Sequence, residues 1–237
     1  MISSPSELTL SSIVEMMRSS RFLTLGDLHS NSREFALAFE ESQADGILLH
    51  LNENPSHGTR FGGMEIEEES LKQCVSSVKI PVGIAVGDAR PLVQEEWEMC
   101  VDLGFSFVVM LAHHMPTFVW HDARIPKFVA IGPGYILEQV KAISAFPNIE
   151  GIIAMLTPER GYGLPLNLLD VATLRLITSL SEKPVLYSTQ RKLRPEDVLV
   201  LAKEKCKGLL ISQVSYGSTT EECRENATRF KGASLQV

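Results

Sequence analysis

Eight short apolar runs recur along the chain, and this pattern constrains the fold more than any other feature of the sequence. The runs are continuous rather than alternating with polar residues, and they cover residues 22–26, 46–51, 82–87, 105–112, 127–132, 151–156, 184–188 and 208–212. Strands that are buried on both faces show such runs, and parallel strands beneath a layer of helices are buried on both faces. The runs therefore predict eight parallel strands.

Helical patterns separate most of the runs. Gly104 follows one of them, and glycine is a natural helix stop. Thr219 and Glu222 have the spacing of a capping box at the start of another helix. Only the segment between the fourth and fifth runs, residues 113–126, shows no convincing helix.

Eight β–α units in 237 residues match a closed barrel. An open doubly wound sheet would use fewer strands and would carry a glycine-rich first turn, which this chain lacks. We therefore predict a single domain over residues 1–237, an α/β fold of the (βα)8 TIM-barrel type. Residues 7–17 predict an extra N-terminal helix that covers the floor of the barrel.

Composition excludes several classes of partner and location. The formal net charge of −7 disfavours a nucleic-acid partner. The first 20 residues have no basic start and no long apolar core, so we expect no signal peptide, and no run reaches the ~18 apolar residues that span a bilayer. The four cysteines form no C-x-x-C pair, which indicates reduced, buried thiols. We expect a cytoplasmic protein with no membrane partner, and a homo-oligomer stays open.

Acidic and histidine residues gather after the first three strands. Reactive groups in such barrels stand at the carboxyl ends of the strands. Asp27 and His29 follow the first run, His50 lies in the second, and Asp88 follows the third. We predict that Asp27 is a general acid or base and that Asp88 is its partner in the opposite proton role, while His29 and His50 orient the substrate.

Basic, amide and hydroxyl residues gather instead after the seventh and eighth strands. A helix N-terminus offers unpaired N–H groups and a positive dipole end to an anion, and glycine allows close approach of the backbone. The predicted substrate- or anion-binding residues are Gln190, Arg191, Ser215, Gly217, Ser218 and Thr219.

Residues 183–222, KPVLYSTQRKLRPEDVLVLAKEKCKGLLISQVSYGSTTEE, form a more particular pattern. This segment, within the strand pattern of the whole chain, resembles the phosphate-binding (βα)8 superfamily, whose members include indole-glycerol-phosphate synthase and the histidine-pathway isomerases. The resemblance implies a small phosphorylated or otherwise anionic metabolite. The chain departs from the superfamily where glycines usually follow these strands, because it has Ser188–Arg191 and Ser212–Gln213 there.

Three functions follow from these residues. The first is an isomerase, epimerase or lyase that forms no covalent intermediate, since no lysine stands at a strand end to form a Schiff base; no cofactor is predicted for it. The second is a metal-dependent hydrolase in which Asp27, His29, His50 and Asp88 hold a divalent zinc or manganese ion. The third is a barrel that binds a metabolite without catalysis, which the departures after strands seven and eight favour.

Overall fold

The strands of the computed structural model, which describes residues 13–19, 21–53, 59–87 and 89–237, close into a barrel. They pair in sequence order, all parallel, and the last strand pairs with the first. Their bounds are β1 Leu23–Asp27, β2 Gly46–Leu51, β3 Val82–Val86, β4 Phe107–Leu111, β5 Lys127–Ile131, β6 Ile149–Met155, β7 Val185–Thr189 and β8 Gly208–Ile211. Each strand overlaps one predicted run, so the predicted (βα)8 barrel is confirmed.

Helices cover the outside of the barrel. Their bounds are α1 residues 13–18, α2 Arg33–Glu41, α3 Met64–Ser77, α4 Gln94–Leu103, α5 Thr117–His121, α6 Leu137–Ser144, α7 Leu168–Leu180, α8 Asp197–Lys203, α9 Gln213–Tyr216 and α10 Thr220–Ser234, with a 3-10 turn at Glu159–Gly161. No helix in the described part of the chain is long and apolar enough to cross a membrane.

Local sequence explains how individual helices begin, end and pack. Gly104 follows α4 with φ 79°, the left-handed conformation that glycine adopts freely. Thr219 and Glu222 form the predicted capping box of α10. Gly26 lets α2 lie close against β1, because an added Cβ would meet the ring of Phe39 at 2.5 Å.

The fifth β–α unit differs from the others. Residues 113–126, which predicted no convincing helix, contain the five-residue helix α5, which begins after Pro116. The Trp120 indole nitrogen donates to Asn148 Oδ1 at 2.9 Å, and this contact holds the short helix against the loop between α6 and β6. The signal was missed because one turn and a half of helix carries too little periodicity to recognise.

An apolar cluster fills the interior of the barrel. Side chains from several strands meet there, and Ile13 and Met17 of α1 join them, each 1% exposed. Phe107 and Phe128, at the amino ends of β4 and β5, pack edge to face in the same cluster. Helix α1 therefore covers the floor as predicted, although residues 7–12 of the predicted helix lie outside the described residues.

The four cysteines are free thiols in the buried layer between strands and helices. Burial raises the pKa of each thiol to about 12. They are therefore un-ionised near neutral pH, and the predicted burial of the cysteines is confirmed.

Candidate active site

A carboxylate–imidazole–carboxylate cluster stands at the carboxyl ends of β1 and β2. His50 Nε2 lies 2.9 Å from Asp27 Oδ1, and His50 Nδ1 lies 2.7 Å from Glu53 Oε2. Burial by itself would lower the pKa of His50, but the charges and hydrogen bonds of Glu53 and Asp27 outweigh it and raise that pKa to about 10. The ring is therefore an imidazolium at neutral pH, and the cluster carries one more carboxylate than cation.

The position of His50 is fixed on several sides. Its ring stacks on Phe61, with centroids 4.7 Å apart and planes 22° from parallel. Its backbone N–H donates to Asn31 Oδ1 at 2.9 Å, and its carbonyl oxygen accepts from Asn31 Nδ2 at 2.8 Å. The loop after β1 thus holds the end of β2 in place, so the cluster is organised before any ligand arrives.

The loop after β2 bends back to bring Glu53 onto His50. Asn52 has φ 55°, which is uncommon for a residue other than glycine. Its buried Nδ2 has no hydrogen-bond partner among the described residues. A Cβ added to Gly87 would lie 2.2 Å from Glu53 Cγ, so this glycine makes room for the carboxylate. Asparagine adopts the left-handed conformation more readily than most residues, so residue 52 suits this turn.

His29 is held by a tyrosine from the far end of the chain. The Tyr216 hydroxyl lies 2.9 Å from the backbone nitrogen of His29 and 2.7 Å from its Nδ1. The tyrosine oxygen accepts from the backbone N–H, and burial raises the pKa of Tyr216 well above its ordinary value, so the hydroxyl keeps its proton. We assign this proton to a hydrogen bond with Nδ1, since the described residues offer it no other acceptor. Burial also lowers the pKa of His29. The neutral ring therefore carries its proton on Nε2.

Two adjoining cavities open onto the cluster, and both are lined by Asp27, His50 and Glu53. The outer one, about 100 Å³, is also lined by His29, Thr59, Phe61, Gln190, Ser212 and Gln213. The inner one, about 60 Å³, reaches the apolar interior of the barrel. The structure thus brings together four of the predicted residues, Asp27, His29, His50 and Gln190, from strands β1, β2 and β7.

Arg191 and Ser215 lie outside these cavities and hold loops together. Arg191 Nε lies 2.8 Å from Asp170 Oδ2, and Arg191 Nη1 donates to the carbonyl of Gly161 at 2.9 Å. Ser215 Oγ accepts from the backbone N–H of Leu193 at 3.0 Å. Both groups are thus engaged within the protein, and their role in anion binding stays a prediction.

The start of α10 is covered by one of its own side chains. Glu222 Oε2 accepts from the backbone N–H groups of Ser218, at 2.8 Å, and Thr219, at 3.1 Å. A Cβ added to Gly217, which has φ 101°, would lie 2.7 Å from Glu222. The carboxylate therefore occupies the place that the sequence predicted for an anion, and the binding role of Gly217, Ser218 and Thr219 stays a prediction.

Asp88 lies outside the described residues, so its predicted partnership with Asp27 stays a prediction. Among the described residues, no group of three histidine, cysteine or acidic side chains is arranged to hold a metal ion. Each ring nitrogen of His50 lies within ion-pair distance of a carboxylate, and Nδ1 of His29 is hydrogen-bonded to Tyr216. The metal alternative built on Asp27, His29, His50 and Asp88 stays a prediction without support from these contacts.

Several residues of the site were not predicted, among them Glu53, Tyr216 and Phe61. Glu53 stands three positions after His50, a spacing that could have indicated the pair, but only the turn at Asn52 brings the two side chains together. Tyr216 lies 187 positions from His29, and only closure of β8 onto β1 joins them. Phe61 carried no chemical signal in the sequence.

Comparison with solved structures places this site in a known fold. The tryptophan synthase A-subunit from Pyrococcus furiosus is 15% identical, with a TM-score of 0.68 over 90% of this chain and 98% of that one. Thiamine phosphate pyrophosphorylase from Pyrococcus furiosus is 13% identical, with a TM-score of 0.64 over 92% of this chain and 98% of that one. Phosphoribosylanthranilate isomerase from Thermotoga maritima is 13% identical, with a TM-score of 0.63 over 91% of this chain and 100% of that one.

The chain is a TIM barrel. No protein-family pattern and no curated protein matches its sequence. The candidate site lies where such barrels carry their chemistry, at the carboxyl ends of the strands. What this chain shares with these structures is the fold, and its function has to be argued from the site itself.

Proposed function

We propose that this protein is an acid–base enzyme that acts on a small phosphorylated metabolite, with Asp27 as the group that exchanges a proton with the substrate. The observation that carries the proposal is the cluster of Asp27, His50 and Glu53 at the edge of a cavity. Asp27 Oδ1 meets His50, whereas Oδ2 accepts no hydrogen bond from the described residues. That second oxygen is the one available to a substrate proton.

His50 and Glu53 act through Asp27 and are positioning residues. The imidazolium of His50 holds the carboxylate of Asp27 in one orientation and compensates its charge. Glu53 keeps the proton on His50, because its negative charge contributes to the raised pKa of that ring. Proton transfer at Asp27 then needs no rearrangement of its neighbours.

His29 contributes the opposite kind of group. Its Nε2–H is the free end of a neutral ring whose Nδ1 is fixed by Tyr216. A neutral N–H donor can stabilise negative charge that develops on a substrate oxygen when a base removes a proton nearby. A carboxylate and a neutral N–H on one cavity suit isomerisation, epimerisation or lysis without a covalent intermediate.

The phosphorylated class of substrate is supported from two directions. Two of the structural neighbours are named for phosphorylated compounds, thiamine phosphate and phosphoribosylanthranilate. In this chain, the part of the cavity wall that is formed by residues after β7 and β8 carries the amides Gln190 and Gln213. We assign the anionic end of the substrate to this wall, away from the negative charge of Asp27 and Glu53.

A barrel that binds a metabolite without turnover is the second candidate. The observation that favours it is the engagement of predicted anion ligands within the protein, since Arg191 pairs with Asp170 and Glu222 covers the start of α10. Such a protein would be stabilised by a ligand that it does not change.

Hydrogen exchange with solvent tests the proposal. The protein is incubated in D2O with a pool of phosphorylated sugars and related phosphate esters, and mass spectrometry detects compounds that gain one deuterium or change their structure. We expect at least one compound to do so with the wild-type protein. The Asp27→Asn variant should lose the activity by about 10²–10⁴-fold, the usual contribution of a general base.

The control is Asp102→Asn, which changes an exposed aspartate of α4 in the same way and should leave the rate unchanged. Equal rates in the Asp27→Asn variant and the wild type would contradict the role of Asp27. Thermal stabilisation by a pool compound with neither deuterium gain nor product formation would favour the non-catalytic candidate.

A further inference from the structure

A second, cationic surface lies between α8 and α10, away from the candidate active site. Two cavities of about 610 and 490 Å³ adjoin there and share Leu199 and Gln236. We call this surface the α8–α10 groove. Its cationic side chains are Arg21, Lys203, Lys205 and Lys207 in one cavity and Arg194 and Arg229 in the other.

Several of these cations have no anionic partner within the protein. Lys203, Lys205 and Arg229 form no ion pair with the described residues. Glu204, which lies between the two lysines in sequence, is taken by Arg175 at 2.5 Å. Glu196 is the acidic side chain that lines the groove. In a chain with a net charge of −7, this concentration of positive charge is a local exception.

Lys205 occupies a position that favours glycine. It follows α8 with φ 61°, where a left-handed residue ends the helix and its N–H donates to the carbonyl of Ala202. A side chain in this conformation is unfavourable relative to glycine. The backbone therefore gives no reason for a lysine there, whereas a ligand of its exposed ammonium group would give one.

The floor of the groove is apolar. Leu199 is 37% exposed between the two cavities, and Val237 is 47% exposed at one end. Ala202 and Ala233 line the groove beside them. Cations therefore stand at both ends, with an aliphatic stretch between them.

From these features we infer that the α8–α10 groove binds a short acidic segment of a partner protein that carries an apolar side chain between carboxylates. Charge complementarity gives the acidic ends, and Leu199 gives the apolar centre. Helix α8 and the residues that flank it span roughly 15 Å, the length of about five residues of extended chain. A concave surface suits such a segment better than it suits a flat bilayer.

Peptide binding tests the inference. Fluorescence anisotropy measures the binding of labelled EELEE, EEGEE and QQLQQ to the full chain. We expect EELEE to bind at least about fivefold more tightly than either control, because EEGEE lacks the apolar centre and QQLQQ lacks the charged ends. The affinity for EELEE should fall as the NaCl concentration is raised. The Lys203→Gln/Lys205→Gly double variant should bind EELEE about tenfold more weakly than the wild type.

Matched controls separate binding from folding. Lys141→Gln, an exposed lysine on α6, should leave binding unchanged. Lys205→Gly alone should keep or raise the melting temperature, because glycine suits the left-handed position. A lower melting temperature would give Lys205 a structural role and overturn the inference.

Three further results would overturn the inference. The first is equal EELEE binding by the wild type and the double variant. The second is binding to vesicles of anionic lipid that depends on the two lysines, together with no binding of EELEE. That result would make the surface a membrane contact. The third is a dimer of the wild-type chain that the double variant abolishes, which would make a second copy the occupant.

Discussion

The hydroxyl oxygen of Tyr216 lies 2.7 Å from His29 Nδ1 and 2.9 Å from the backbone nitrogen of the same residue. One hydroxyl thus satisfies two atoms of His29 and determines which ring nitrogen carries the proton. This contact joins the loop after β1 to helix α9 after β8, so closure of the barrel is itself a condition for the chemistry assigned to His29.

Loss of the Tyr216 hydroxyl should disturb His29 more than it disturbs the fold. Tyr216→Phe removes the donor to Nδ1 and leaves the backbone N–H of His29 without its acceptor. We expect turnover to fall about tenfold and the free energy of unfolding to fall by about 1 kcal/mol. Nitrogen-15 NMR of the His29 ring should change from one tautomer to a mixture.

Tyr135→Phe is the matched control for this experiment. The Tyr135 hydroxyl makes the same kind of contact with His113 Nδ1, at 2.6 Å, but neither residue lines the candidate cavities. Turnover should be unchanged in that variant. An equal loss in both variants would show that the effect is not specific to His29.

The raised pKa of His50 predicts how stability depends on pH. A histidine that binds its proton more tightly in the folded state stabilises the fold fully below its unfolded pKa of 6.5. That stabilisation is lost as the pH rises through about 10. Glu53→Gln removes one of the charges that raise the pKa of His50, so in that variant the pH-dependent loss of stability should be smaller and should end at a lower pH.

Urea denaturation between pH 6 and 10.5 measures this dependence. Tyrosines, cysteines and lysines titrate in the same range, so the quantity of interest is the difference between wild type and Glu53→Gln. Glu69→Gln, which changes an exposed glutamate of α3, is the control. Parallel stability curves for wild type and Glu53→Gln would contradict the assigned role of Glu53.

The buried ion pair of Arg191 and Asp170 should carry much of the stability of its loops. Their side chains are 7% and 5% exposed. Arg191→Gln leaves Asp170 buried without its cation, and we expect the free energy of unfolding to fall by about 3–5 kcal/mol. Arg194→Gln, an exposed arginine 3.6 Å from Asp197, should change it little.

Urea denaturation again gives the comparison, together with the thermal shift that inorganic phosphate produces in each protein. A small stability loss in Arg191→Gln with loss of phosphate stabilisation would favour the original anion-binding prediction for Arg191. We expect instead a large stability loss in Arg191→Gln, with the thermal shift produced by phosphate unchanged.

The barrel could be predicted from the sequence because a strand buried on both faces is a continuous apolar run. Continuous runs such as residues 46–51 identify strands without knowledge of their neighbours. The capping box of Thr219 and Glu222 was predictable for the same reason, since both partners lie within one turn. Helix α5 was not predicted, because a helix of only five residues shows too little periodicity in the sequence.

The candidate site was predictable only in part, because its contacts are distant in sequence or depend on a turn. Asp27, His29 and His50 follow or lie in strands whose ends meet by topology. The contact between Glu53 and His50 depends on the left-handed turn at Asn52, and no local sequence pattern predicts that turn. Arg191 was predicted to bind an anion, because no local pattern links this loop residue to Asp170, its ion-pair partner on α7.

The protonation of His50 tests the central claim most directly, since the assigned role of Asp27 depends on an imidazolium held between two carboxylates. Nitrogen-15 NMR of the histidine rings, with His50 assigned by its loss in His50→Gln, follows both ring nitrogens from pH 5 to 11. We expect both ring nitrogens to stay protonated up to about pH 9, with a midpoint near 10. A neutral His50 ring at pH 7, with a midpoint near the ordinary 6.5, would contradict it.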